Sequence, residues 1–168
     1  MQKSVERDKP AVKTSGKMDA ITVLTNDHAN VRKLFKQYES EKASSSVEEK
    51  TALAAVICAA LTAHATAEEE IFYPALREAL DDEELVNEAE VEHASAKDLI
   101  AQIADSDADD PMFDARVKVL SEYVEHHVKE EEGEMFPKAR KSKLDLDALG
   151  AEVDLRREEV LAEIMADE

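Results

Sequence analysis

The chain has 168 residues, of which 43% are apolar, 36% charged and 4% aromatic, with three Gly, four Pro and one Cys. The length suits a single domain, and the scarcity of Gly, Pro and aromatic residues favours helices over a β-sandwich or barrel. A single Cys excludes a disulfide scaffold, and the net charge of −19 argues against nucleic-acid binding because phosphate backbones repel an acidic surface.

The first 41 residues divide into a tail and a helix. Residues 1–17 hold five Lys or Arg, Pro10 and Gly16 without an apolar period, and are predicted to form a flexible N-terminal arm. The first helix is expected over about 18–41. Its apolar face consists of two rows with seven-residue spacing: Ile21, His28 and Phe35, and Leu24, Val31 and Tyr38.

The second and third helices follow after short breaks. Ser46 and Glu49 have the spacing of a capping box, which predicts a helix from 46 to about 80. One face of that helix consists of Ile57, Leu61, His64, Glu68 and Ile71. Asp81 and Asp82 end it and can cap a third helix over about 82–104. The third helix has its own rows, Val86, His93 and Ile100, and Ala89, Ala96 and Ile103.

The remaining chain predicts two more helices. Asp110 as a cap and Pro111 in the first turn place the fourth helix at about 111–141. Its apolar face contains Phe113, Val117, Leu120, Val124, His127 and Glu131. A fifth segment, about 145–166, is expected to pack across the others. The prediction is an all-α, up-down-up-down four-helix bundle over 18–141, with an extra C-terminal helix within 142–168.

The second and fourth helices repeat each other without a gap. HATAEEEIFYPALR, from His64 to Arg77, matches HVKEEEGEMFPKAR, from His127 to Arg140. The first and third helices show a weaker likeness, DHANVRKLF against EHASAKDLI. The chain is therefore predicted to contain two copies of a helix pair, related by an approximate two-fold axis.

Four histidines, one on each of these helices, fall within apolar rows. Four buried imidazoles without partners would be costly, and Glu68 and Glu131 lie four residues after His64 and His127, hence on the same faces. Two facing carboxylates would share a proton or hold a cation. A pair of metal ions, of iron, manganese or zinc, satisfies all six predicted ligands: His28, His64, Glu68, His93, His127 and Glu131. The alternative is a metal-free helical bundle.

A second His-x-x-x-Glu pair competes in the fourth helix, because Glu130 lies four residues after His126. At about 100° per residue, His127 and Glu131 share the apolar face while His126 points away from it, which favours His127 and Glu131. Tyr123 lies four residues before His127 and is expected to pack in the core with its hydroxyl hydrogen-bonded. The alternative is that its phenol, or else solvent, completes the coordination.

These segments together resemble the hemerythrin-like, or HHE cation-binding, family. The resemblance extends from about Thr22 to Arg140 and rests on NDHANVRKLF, HATAEEEIFYPAL, EHASAKDLI and EHHVKEEEGEMFP. It implies a four-helix bundle around a non-haem centre of two iron ions with an oxo or hydroxo bridge. It also implies that the six predicted residues are the ligands and that both glutamates bridge the irons.

Two departures separate this chain from the oxygen-carrying hemerythrins. Those proteins have a further histidine where Lys97 stands here, and they space their last histidine and its aspartate by five residues, whereas His127 and Glu131 are four apart. The chain is thus more similar to the bacterial branch of the family, which argues against reversible oxygen storage.

The function expected from this resemblance is binding of, or reaction with, a small oxidant or gas: dioxygen, peroxide or nitric oxide. The alternatives are an iron- or redox-responsive regulatory or storage module and catalase-like peroxide breakdown. No bilayer-spanning run and no signal segment are evident in the sequence, so the expected location is the cytoplasm, without a membrane partner.

Overall fold

A computed structural model describes residues 17–167, which form an all-helical fold. The predicted flexible arm lies outside the described residues except for Lys17. The all-α prediction is confirmed, and the helices are α1 (Ala20–Glu41), α2 (Val47–Ala67), α3 (Tyr73–Ala79), α4 (Glu83–Ala104), α5 (Phe113–Glu130), α6 (Phe136–Lys141) and α7 (Leu146–Ala166).

Most of the predicted helix starts coincide with caps. The Ser46 side chain accepts a hydrogen bond from the Glu49 amide at 3.1 Å, and the Glu49 carboxylate accepts from the Ser46 amide at 2.8 Å. The prediction for the fourth helix was wrong by two residues, since α5 begins at Phe113. The reason is that the Asp110 carboxylate accepts from the Met112 amide at 2.8 Å and so closes a turn that precedes the helix.

The four long segments pack as a bundle, with α1 against α2 and α5, and α4 against α2 and α5. Its core has two apolar clusters. One is built around Phe72, Leu76, Met135 and Phe136, and the other around Tyr38, Ile57, Phe113 and Leu120. The layer between these clusters contains the buried polar side chains of the bundle. Apolar packing on both sides therefore fixes the height at which the polar groups meet.

Two π-helical turns interrupt the long helices, at Glu68–Phe72 and at Glu131–Met135. In each turn a residue five positions on donates its amide hydrogen to the carbonyl of the glutamate, Tyr73 to Glu68 and Phe136 to Glu131. Proline follows directly in both copies. Because proline lacks an N–H and its ring would clash with the carbonyl four residues earlier, a wider turn here removes the conflict.

The C-terminal helix α7 packs on α1 and α2. Gly150 approaches the start of α1 so closely that an added Cβ would lie 2.2 Å from the Met18 carbonyl oxygen. Any larger residue would force α7 away from the bundle. Backbone contact at Gly150 therefore positions α7, and its own side chains Val153 and Val160 are buried against the bundle.

The continuous segment Val47–Ala79 is long and apolar enough to cross a membrane by length and composition alone. It also provides the buried residues Ile57, Leu61 and His64 of the bundle. A core helix of a soluble bundle meets the same criterion, so the segment does not by itself indicate a membrane span.

Candidate metal centre

The structure brings all six predicted residues together in the polar layer of the bundle. Their donor atoms form two groups whose members lie within 4.8 Å of one another. We call His28, His64, Glu68 and Glu131 the first cluster. The second cluster is Glu68, His93, His127 and Glu131. Both glutamates belong to both clusters, and all six residues are buried.

Each histidine turns its Nε2 towards the shared carboxylates. Glu68 lies between the clusters, with Oε1 3.1 Å from His64 Nε2 and Oε2 3.2 Å from His93 Nε2. Glu131 Oε1 is 2.5 Å from His127 Nε2 and 3.8 Å from His28 Nε2. The two carboxylates are thus placed to bridge a pair of cations.

The opposite ring nitrogen of each histidine faces another carboxylate. The Nδ1 atoms of His28, His64 and His93 lie 3.0, 3.0 and 2.9 Å from carboxylate oxygens, and that of His127 lies 3.6 Å away. The carboxylates, in the same order, are those of Glu132, Asp27, Glu69 and Glu92. Such partners fix the ring orientation and leave Nε2 free to bind a cation.

Cations support three of these outer carboxylates. Arg157 of α7 donates to Asp27 at 3.0 Å, Lys97 to Glu69 at 2.5 Å, and Arg32 lies 3.5 Å from Glu132. Lys97, which stands where oxygen carriers have a histidine, therefore points to the outer carboxylate and not to the centre. Two guanidinium groups thus pair with the outer carboxylates of the first cluster, whereas one exposed ammonium group pairs with an outer carboxylate of the second.

The pKa values of the imidazoles diverge within this crowded layer. Burial, together with the charge of His64, lowers the pKa of His28 to about 4. Burial opposes protonation of His64 and His127 as well. The neighbouring carboxylates outweigh it there and raise the pKa to about 10 at His64 and about 11 at His127.

The two shared carboxylates also differ. Burial and the charge of Glu68 raise the pKa of Glu131 to about 7, whereas burial of Glu68 is outweighed by His64 and His93, which hold its pKa well below the usual range. At His93 the carboxylates of Glu68 and Glu69 overcome burial and raise the pKa. Protons and cations thus compete for the same inward-facing atoms.

Within residues 17–167, several of these inward-facing atoms are buried and have no partner in hydrogen-bonding geometry, although other donor atoms of the clusters lie near them. They are His28 Nε2, His64 Nε2, Glu68 Oε1, and both carboxylate oxygens of Glu131. An unsatisfied buried polar group costs about 1–3 kcal/mol, so five in one layer would be expensive unless a ligand satisfied them. Imidazole nitrogen with carboxylate oxygen is a donor set that suits iron, manganese or zinc, and the residues present fit such ions.

Tyr73, which the sequence did not indicate, is the additional side chain inside this layer. It is fully buried, and its hydroxyl donates to Glu68 Oε2 at 3.2 Å. Tyr123, considered as a ligand from the sequence, is instead half exposed. The π turn explains why Tyr73 faces the polar layer. It aligns a residue with the one five positions earlier, whereas a regular helix would turn Tyr73 away from Glu68.

The competing pair His126 and Glu130 lies outside the layer. His126 is 68% exposed, and its Nε2 is 3.2 Å from Glu130 Oε1 and 4.0 Å from Glu92 Oε2. The pair follows the same spacing as His127 and Glu131 but is rotated by one residue, about 100°. It therefore provides a natural control for the buried pair.

A cavity of about 50 Å³ adjoins the four histidines. Its other walls are mostly apolar and include Val31, Leu61, Ala96, Ile100 and Val124. A space of this size holds a molecule of two or three atoms, and apolar walls disfavour ordered water. The cavity is therefore suited to a small, weakly polar molecule beside the clusters.

The outer carboxylates could have been found from the repeat. Asp27 and Glu92 each precede the histidine of their helix, and Glu69 and Glu132 each follow the shared glutamate. The sequence signal for these outer carboxylates is that both copies of the repeat have an acidic residue at the equivalent positions.

Comparison with known proteins agrees with this geometry. The Hemerythrin HHE cation binding domain family matches residues 19–139. A crystal structure of an HHE cation binding domain-containing protein from Mycobacterium kansasii superposes with a TM-score of 0.73, at 24% identity, over 87% of this chain and 89% of that one. A Nostoc sp. protein named DNA nickase is 32% identical over 126 residues, which are 73% of this chain but 34% of that protein, so the chain spans about a third of that relative. With a family match over most of its length and two buried His/Glu clusters, the chain belongs to the hemerythrin HHE cation-binding domain family.

Proposed function

We propose that the chain is a non-haem di-iron protein that binds or reacts with a small oxidant, namely dioxygen, peroxide or nitric oxide. The observation that supports this most strongly is the sharing of Glu68 and Glu131 by two clusters that each add two histidines. The proposed ligands are the six residues predicted from the sequence. A pair of ferrous ions would supply the electrons that reduce an oxidant.

The surrounding residues support a small ligand. The outer carboxylates hold three of the four imidazoles, those of His28, His64 and His93, in one orientation, so their inward nitrogen atoms need little reorganisation when a cation binds. The cavity beside them accommodates a molecule of two or three atoms and excludes a larger substrate. We also propose a cytoplasmic location and no nucleic-acid partner, given the single Cys and the net charge of −19.

The test is anaerobic loading with ferrous iron followed by exposure to air. We expect about two irons per chain, the content that a dinuclear site requires, and an oxo-to-iron absorption after oxidation. His127→Ala should lose iron, while His126→Ala, the matched control one residue away, should retain it. Equal iron content in both variants, or fewer than about two irons in the unaltered protein, would contradict the proposal.

A second candidate function is an iron-responsive regulatory module, which the five unpartnered buried atoms favour. Because a ligand that binds only the folded state stabilises it, iron would raise the free energy of unfolding and its removal would lower it. Thermal melting with and without a chelator distinguishes this candidate. A melting temperature that barely changes on chelation excludes regulation through folding.

A further inference from the structure

The hydroxyl of Tyr73 lies nearly equidistant from three donor atoms of the second cluster. Its oxygen is 3.2 Å from Glu68 Oε2, 3.2 Å from His93 Nε2 and 3.4 Å from His127 Nε2. A phenol donates one hydrogen and accepts through its lone pairs, so three neighbours use the full hydrogen-bonding capacity of this oxygen. The oxygen occupies a vertex of a polyhedron of polar atoms.

Two further edges of this polyhedron have similar lengths. His93 Nε2 is 3.0 Å from His127 Nε2 and 3.2 Å from Glu68 Oε2. Ligand atoms that bind one ion at about 2.0–2.2 Å lie about 3 Å apart when they are adjacent in an octahedron. The four atoms of Tyr73, Glu68, His93 and His127 therefore have the spacing of neighbouring ligands around a common cation.

In the described part of the chain, no such oxygen lies beside the first cluster. Phe136 takes the equivalent place in the repeat, and its ring stacks on His28 with centroids 5.7 Å apart and planes 3° from parallel. The aromatic ring fills the same space but offers no donor atom. The protein can thus provide two imidazoles and two carboxylates to the first cluster, and the same set with a phenol to the second.

On the basis of the proposed function, we propose that Tyr73 is a seventh protein ligand that binds the ion of the second cluster. When that ion is ferric, the phenol O–H bond breaks, an O–iron bond forms and the proton leaves to solvent, without any electron transfer. The ion of the first cluster keeps the more open coordination. A small oxidant or an anion such as azide therefore binds at the His28 and His64 side.

The test compares the oxidised, iron-loaded protein with Tyr73→Phe, which places at residue 73 the side chain found at Phe136. The unaltered protein should show a visible phenolate-to-iron absorption and enhanced tyrosine ring vibrations in resonance Raman spectra. Tyr73→Phe should lose both while it keeps its iron content and helical circular dichroism. Tyr123→Phe, at an exposed tyrosine on the cavity wall, is the control and should retain both signals.

Two further measurements keep the test decisive. Ring-deuterated tyrosine incorporated into the unaltered protein should shift the enhanced vibrations, which does not require the variant to fold. Azide should bind about once per chain in the unaltered protein and about twice in Tyr73→Phe, because the variant opens a second position.

The outcomes separate the two proposals. Iron-loaded protein with an oxo-to-iron absorption but no tyrosine vibrations would overturn the assignment of Tyr73 and leave the di-iron proposal standing. Two azides per unaltered chain would overturn the assignment of the open position. Failure to bind iron at all would instead refute the proposed function on which this inference rests.

Discussion

The first and second clusters share both carboxylates but differ in what surrounds their histidines. Around the first, His64 is supported through Asp27 by Arg157 of α7, and Phe136 stacks on His28. Around the second, Tyr73 is inserted between the proposed ligands, and the outer cation is Lys97, which is half exposed. The repeat thus kept its buried histidines and glutamates and changed their neighbours, and we expect the two proposed metal positions to have different properties.

Removal of a shared carboxylate should weaken metal binding at both clusters and so abolish the difference between them. In Glu131→Gln the amide retains the shape of the side chain but not its charge, and Glu131 contributes to both clusters. We expect iron content to fall from about two to less than about one per chain, because the imidazoles are neutral and Glu68 alone would then offset the charge of two cations. Metal analysis measures this. Glu130→Gln is the matched exposed control, and equal losses in both variants would contradict shared ligation.

Removal of one histidine from either cluster should abolish metal binding at that cluster and leave the other cluster able to bind its ion. His28→Leu and His93→Leu should each lose about one iron, since each imidazole belongs to a single cluster. Metal analysis and thermal melting of the loaded variants provide the readout. A metal-free bundle would behave in the opposite way, with unchanged or higher melting temperatures because leucine removes a buried polar group.

Removal of an outer cation should affect the first cluster more strongly. Arg157→Gln breaks a partly buried pair with Asp27. Loss of a group that hydrogen-bonds a ligand typically weakens metal affinity about 10–100-fold, and because Arg157 acts one contact further out, through Asp27, we expect about tenfold. Lys97→Gln breaks a more exposed pair, which solvent screens, and should have a smaller effect. Competition with a chelator gives both affinities. The reverse order would refute the supporting role of α7.

The dependence of affinity on pH should differ least between the clusters. At pH 7 the lowered pKa of His28 leaves it neutral, whereas the raised pKa values of His64 and His127 leave those rings protonated, and the pKa of His93 is also raised. A bound proton must leave before a cation binds, so affinity rises with pH. Between about pH 6.5 and 7.5 we expect a steeper rise for the second cluster, in which the pKa values of both imidazoles are raised, than for the first, measured in His28→Leu and His93→Leu respectively. Equal slopes would show that both clusters release the same number of protons.

The sequence predicted the bundle and the six clustered residues because both depend on local periodicity. Seven-residue rows place His28 and His93 in the core, and the four-residue spacing places Glu68 and Glu131 beside their histidines. The Ser46 capping box was predicted for the same reason, since its partner lies three residues away.

The parts that the sequence did not predict depend on irregular or distant geometry. Tyr73 was missed because a phase of about 100° per residue does not apply across a π turn. The pair of Arg157 with Asp27 joins residues 130 positions apart, and no periodic pattern relates them. The late start of α5 depends on a competition between a turn and a helix cap at Asp110, which composition alone does not decide.

Because of the two π turns, the geometry of this centre depends on the number of residues between each shared glutamate and its proline. In each, the proline lies six positions after the shared glutamate, from Glu68 to Pro74 and from Glu131 to Pro137. Deletion of one intervening residue, Glu70 or Gly133, would permit an uninterrupted α-helix and turn everything beyond it by about 100°. In the first copy that rotation would carry the phenol of Tyr73 out of the polar layer, although every ligand would still be present in the sequence. Among related chains, the count from glutamate to proline should therefore distinguish intact centres from disabled ones better than the ligands themselves.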